Sequence, residues 1–73
     1  MRLNLIKIIK SKYPKLKKKI NKNTDLIEDM IFDSLELMNL IVHLERKHKF
    51  RTKDYLKENN KFLISLMEDF INN

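Results

Sequence analysis

Apolar residues return every three or four positions along most of this chain, and no segment alternates apolar with polar residues as a half-buried strand would. The pattern predicts helices throughout. Leu5, Ile6, Ile9 and Tyr13 fall on one helical face with Leu3 and Ile8 beside them, which predicts a first helix from Arg2 to Tyr13. Pro14 ends it, because proline lacks an amide proton and pushes the residue before it out of helical geometry. Residues 15–32 read as a long connection. Leu16, Ile20, Leu26, Ile27, Met30 and Ile31 are expected to tuck onto a core, while Lys17, Lys18 and Lys19 stay in water. A connection of that length is unusual in a small domain and predicts a functional segment or a turn of its own.

A second helix is predicted to start at Asp33-Ser34. Asp33 suits the N-cap, Glu36 three residues on completes a capping box, and both acids favour the positive helix end. Leu37, Leu40, Ile41 and Leu44 carry the helix to about His48. Leu35, Met38 and Val42 widen its apolar arc beyond one core face, so part of that arc is expected to meet something other than this chain's own core. Thr52 reads as the cap of a short turn bearing Tyr55 and Leu56. Asn59 or Asn60 reads as the cap of a last helix through Phe62, Leu63, Leu66, Met67, Phe70 and Ile71. The expected fold is all-α and a single domain over residues 1–73. It is a small irregular four-helix bundle of three main helices and one short one, with a long first loop.

Composition narrows the chemistry. A chain of 73 residues holds one small core and leaves little room for a catalytic pocket of its own. The absence of Cys excludes disulfides, Cys-ligated zinc and thiol catalysis by the chain itself, and the absence of Gly excludes Gly-rich phosphate loops. His43 and His48 match no HExxH pattern and stand five apart, so they are expected not to share a helical face and read as surface or edge histidines. The longest apolar runs, such as Leu40-Ile41-Val42, are three residues long, so no membrane span is expected. Arg2, Lys7 and Lys10 in a start without an apolar core argue against a secretory signal, and the expected location is the cytoplasm. The net charge of +6 hides an uneven spread: residues 1–23 hold nine basic side chains and no acidic one, residues 24–45 six acidic and no Lys or Arg. That acidic middle is not how a nucleic-acid footprint is built, and no nucleic-acid partner is expected.

The second helix carries a further signal. Asp33-Ser34-Leu35 is followed by an apolar residue, Leu40, six positions after the serine and by Leu44-Glu45 ten and eleven after it. This spacing resembles the phosphopantetheine attachment motif of acyl carrier proteins. Asp25-Leu26-Ile27-Glu28-Asp29-Met30 resembles that family's acidic-apolar segment ahead of the serine, and Phe50, Glu58-Asn59, Phe62, Leu66 and Phe70-Ile71 resemble its later landmarks, so the likeness covers the whole chain. The resemblance implies that a phosphopantetheinyl transferase joins 4'-phosphopantetheine from coenzyme A to the Ser34 hydroxyl, with Asp33 and Leu35 completing the attachment site. The arm's thiol then holds acyl or aminoacyl groups as thioesters for a loading enzyme and downstream acyltransferases or synthases. Glu36, Met38 and Glu45 match partner-contact positions, and a monomer is implied. Two features depart from the housekeeping fatty-acid pattern. Ile31-Phe32 stand where small residues are usual, and Asn39, Arg46 and Lys47 where acids are frequent, which resembles specialised stand-alone carriers more closely.

Bland readings stand beside these. Ser34 taken alone is an ordinary helix-start hydroxyl, Leu35 and Met38 can be core, and Glu36 and Glu45 can be solvated charges. Other function classes also remain. The nine positive charges of residues 1–23 suit a small basic binder of nucleic acid or an anionic surface, and the broad apolar arc suits a structural helical partner. No paired carboxylates, nucleophile–base pair or metal cluster can be placed on a shared pocket, so an intrinsic enzyme is not expected.

Overall fold

The computed structural model describes residues 2–73. Its helices are α1 (Leu5–Lys12), α2 (Ser34–His48), α3 (Thr52–Glu58) and α4 (Ile64–Asn72), and among the described residues there is no strand beyond one isolated antiparallel bridge, Asp25 to Leu63. The small all-α arrangement of four helices and a long first connection is the one the periodicity predicts. The radius of gyration of 11.3 Å matches the ~11 Å expected of a compact chain of this length.

Each helix buries one stripe against a common core. Leu5 and Ile9 of α1, Leu37, Leu40 and Leu44 of α2, Tyr55 of α3, and Ile64 and Met67 of α4 are buried together with Leu26 and Phe50 from the connections. Helix α1 is shorter than its apolar pattern. Asn4 takes the N-cap position in extended geometry and its side chain accepts the Lys7 N–H. Leu3 is drawn to α4 instead, exchanging two hydrogen bonds with the Asn72 side chain. Glu68 reinforces this junction, its buried Oε2 accepting the Leu5 N–H at 2.9 Å. Tyr13 leaves helical geometry ahead of Pro14, as proline requires.

Three local expectations are corrected. Ile27 and Met30 do not tuck onto the core: they are 38% and 75% exposed. Residues 25–30 turn tightly, with Met30 at φ 56°, and this turn sends Leu26 and Ile31 inward and Met30 outward. Thr52 is the first residue of α3 and not its cap; Arg51 holds the N-cap position without a side-chain bond. Neither Asn59 nor Asn60 caps the last helix. Asn59 closes α3, with its backbone N–H and side chain both donating to the Tyr55 carbonyl, while residues 62–63 run extended beside residues 24–26. Leu26 N–H donates to Phe62 O and Ile64 N–H to Thr24 O, so α4 begins only at Ile64, without a side-chain cap.

That pairing gives the long connection its order. Asp25 is buried, and its Oδ1 accepts the N–H groups of Ile27 and Glu28, while Asp29 Oδ2 accepts the Asp25 N–H. The acidic cluster of residues 25–29 is thus in part a turn-forming device. It lies beside Tyr55, whose phenol is pushed up to about 12 by burial and then by Asp25. Leu16 and Ile20 pack against the core edge and Lys17 to Lys19 stay exposed, as the pattern predicts.

Candidate functional site

Helix α2 begins where its local chemistry dictates. Asp33 Oδ1 accepts the Glu36 N–H at 2.8 Å, and Glu36 Oε1 accepts the Asp33 N–H at 3.1 Å, a complete capping box. The Leu37 N–H bonds to the Asp33 carbonyl. The first-turn N–H groups of Ser34 and Leu35 are left without an intrahelical acceptor. Ser34 itself is exposed as the first helical residue. The site therefore presents a hydroxyl to solvent on a rigid turn, with two open backbone donors and the positive helix end beside it. A phosphodiester fits that position: its charge is favoured there, and nothing of the core need open to admit it.

Around the serine the outer face of α2 is apolar. Leu35 and Met38 are 68% and 60% exposed, and Val42, four residues further, is also exposed. At 3.6 residues per turn these three form one stripe along the helix, and Arg46 falls on the same line at its far end. The core-filling reading of Leu35 and Met38 is thereby excluded; the core stripe is Leu37, Leu40 and Leu44.

The two acids behave differently from one another. Glu36 is engaged in the capping box, and Glu45 Oε2 accepts the Thr52 hydroxyl at 2.9 Å, which ties the end of α2 to α3. Nine residues separate them, about two and a half turns, so they project from opposite sides of the helix. Glu45 falls near the Leu35–Met38 side; Glu36 faces the first connection. The two acids do not form one patch.

The histidines are half-buried edge residues, as expected, but they are not apart. The His43 and His48 rings meet edge-on with centroids 5.8 Å apart. His48 is the last residue of α2 before Lys49 turns left-handed at φ 57°, so no further helical turn confines its side chain. His43 is held below its ordinary value by partial burial first, then by the charges of Lys12, His48 and Lys47. Among the described residues no group of three or more His, Cys, Asp or Glu could hold a metal ion.

The apolar pair Ile31-Phe32 is buried just ahead of the cap. The Phe32 ring packs on Tyr13 with centroids 4.8 Å apart, and the Tyr13 hydroxyl donates to the Glu36 carbonyl at 3.3 Å. This contact forms the wall of an open groove of about 640 Å³ between the end of α1, residues 14–18 and the start of α2. Spacing puts Tyr13 on the apolar face of the first helix and leaves Phe32 as a departure from pattern, so the groove is not legible from it. The one local signal for it was the apolar pair itself, out of place before the serine.

No helix among the described residues is long and apolar enough to cross a membrane. No protein-family model, curated protein or solved structure matches this chain.

Proposed function

We propose that this chain is an acyl carrier protein, non-catalytic and monomeric, that works in the cytoplasm with a phosphopantetheine arm on Ser34. The observation that carries the reading is Ser34 itself: an exposed hydroxyl at the first position of a capped helix, within the spacing Asp33-Ser34-Leu35, Leu40, Leu44-Glu45. In the attachment step Ser34 Oγ forms a bond to the phosphorus nearer the pantetheine. The pyrophosphate link to the adenosine half of coenzyme A breaks, and the hydroxyl proton passes to a base of the transferase. Asp33 fixes the helix start so that the hydroxyl is held in one place. The arm, once attached, supplies the thiol that the chain lacks and on which acyl groups travel. The exposed stripe of Leu35, Met38 and Val42 gives the transferase and loading enzyme an apolar surface beside the serine.

A specialised pathway is favoured over housekeeping fatty-acid synthesis. The buried Ile31-Phe32 pair stands just ahead of the cap and Phe32 lines a groove beside the start of α2, Glu36 and Glu45 do not combine into one acidic patch, and the docking stripe ends at Arg46. The test is transfer from a fluorescent coenzyme A analogue by a broad-specificity phosphopantetheinyl transferase, read on a denaturing gel. Label on the wild type and none on Ser34→Ala is expected. Equal label on both proteins refutes the site.

A further inference from the structure

The groove beside the start of α2 has a composition that points to a particular occupant. Its floor is apolar, made by Tyr13, Leu16 and Phe32. Its rim is cationic: Lys12, Lys15, Lys17 and Lys18 all line it, against one carboxylate, Glu36. That carboxylate already accepts the Asp33 N–H. None of the four lysines takes part in an ion pair among the described residues, whose pairs are Arg2–Asp69, Lys22–Glu68, Arg51–Asp54 and Lys57–Asp54. The Lys18 ammonium donates to the Met30 carbonyl, a neutral acceptor, and Lys12 lies 5.7 Å over the Tyr13 ring. Both contacts stay within the end of α1 and the first connection, and neither neutralises the lysines.

The volume of about 640 Å³ lies within the few hundred to one thousand Å³ typical of small-molecule sites. A second depression of about 350 Å³ shares Lys18, Phe32 and Glu36 with it and reaches Asp33, next to the serine. The two depressions lie side by side at the start of α2, separated by the residues they share.

We propose that this groove binds a small amphipathic anion, an apolar chain of about acyl length ending in an acid group. The chain lies on Tyr13, Leu16 and Phe32, and the acid meets the lysine collar. As a binding site the groove stands on its own composition; taking its occupant as the cargo of Ser34 rests on the carrier reading. On that reading the cargo is an acyl group with a distal negative charge, and an aminoacyl group, whose ammonium the collar repels, is disfavoured.

The experiment is an amide chemical-shift titration of the unmodified full chain with octanoate, and separately with octanamide, octylamine and inorganic phosphate. Octanoate is expected to shift residues 12–18 and 32–36 in a saturable way, with the other three probes at least about fivefold weaker. The double substitution Lys15→Glu with Lys17→Glu, on two exposed side chains that leave the helices intact, is expected to weaken octanoate by about five- to tenfold and leave octanamide unchanged. Equal response to octanamide overturns the anionic half of the proposal. Equal response to phosphate overturns the apolar half, and shifts centred on the α3–α4 side overturn the location. A chain carrying a suberyl arm and one carrying an octanoyl arm separate the two readings. Failure to load either chain sinks the carrier reading while octanoate binding keeps the groove. Loading of both with identical shifts at Tyr13 and Phe32 removes the cargo preference and keeps the carrier.

Discussion

Replacing Asp33 with alanine removes the side-chain half of the bond that starts α2, the 2.8 Å acceptor for the Glu36 N–H. A lost N-cap costs about 1 kcal/mol, and loss of a negative charge at the positive helix end adds about 0.3–1 kcal/mol, for about 1–2 kcal/mol in all. Set against the ~3–5 kcal/mol that one small core supplies, this is a large share. At roughly 4–8 °C per kcal/mol for a domain of this size, the Tm of Asp33→Ala is expected to fall by about 4–16 °C. Asp33→Asn keeps a capping oxygen and loses only the charge, so its Tm is expected to fall by about 1–8 °C, less than that of Asp33→Ala. Thermal unfolding followed by circular dichroism, with urea titration for the free energies, measures both. The carrier reading adds a functional contrast: Asp33→Asn retains the helix start and slows labelling by the transferase out of proportion to its stability. An Asp33→Ala protein that melts with the wild type means that the capping box does not hold the start of α2. The geometric case for Ser34 as a rigidly presented hydroxyl then falls with it.

Leu40→Ala opens a cavity at a fully buried position of the α2 core stripe and is expected to cost about 2–5 kcal/mol, enough to leave the chain largely unfolded at room temperature by urea titration. Leu35→Gln with Met38→Gln touches only the exposed stripe, so stability stays within about 0.5 kcal/mol per site while labelling by the transferase slows; a large drop in Tm would return these residues to the core. His43, followed by its ring-proton shifts, is expected to titrate below 6.5. Because the fold favours its neutral form, the stability it contributes is fully present above pH 6.5. That stability is lost as the pH falls through the lowered value, and His43→Gln flattens this part of the stability profile.

What the sequence discloses is what depends on near neighbours. The capping box of Asp33 and Glu36 is a three-residue event, and it lies where the residue pattern places it. The inward stripe of Leu37, Leu40 and Leu44 follows from helical period alone. The start of α4 was not legible, because the bonds that delay it to Ile64 come from Thr24 and Leu26, far away in the chain. Asn59, a good cap in isolation, is spent closing α3. Met30 reads as a core residue by hydropathy, yet the turn built on Asp25 puts it at φ 56° and faces it to solvent. Around the serine the same division holds. The hydroxyl and its cap were local and legible; the groove was not, since Tyr13 and Phe32 meet only after the lysine-rich connection has folded back. The contact of His43 with His48 escaped a spacing argument that holds inside a helix and loosens at its last residue.

The most direct test of the central claim is intact mass after incubation with coenzyme A, magnesium and a broad-specificity phosphopantetheinyl transferase, run on the wild type and on Ser34→Ala side by side. The account predicts a gain of one phosphopantetheine on the wild type and none on the variant. A folded wild-type chain that gains nothing from several such transferases, or a variant that gains as much as the wild type, contradicts it.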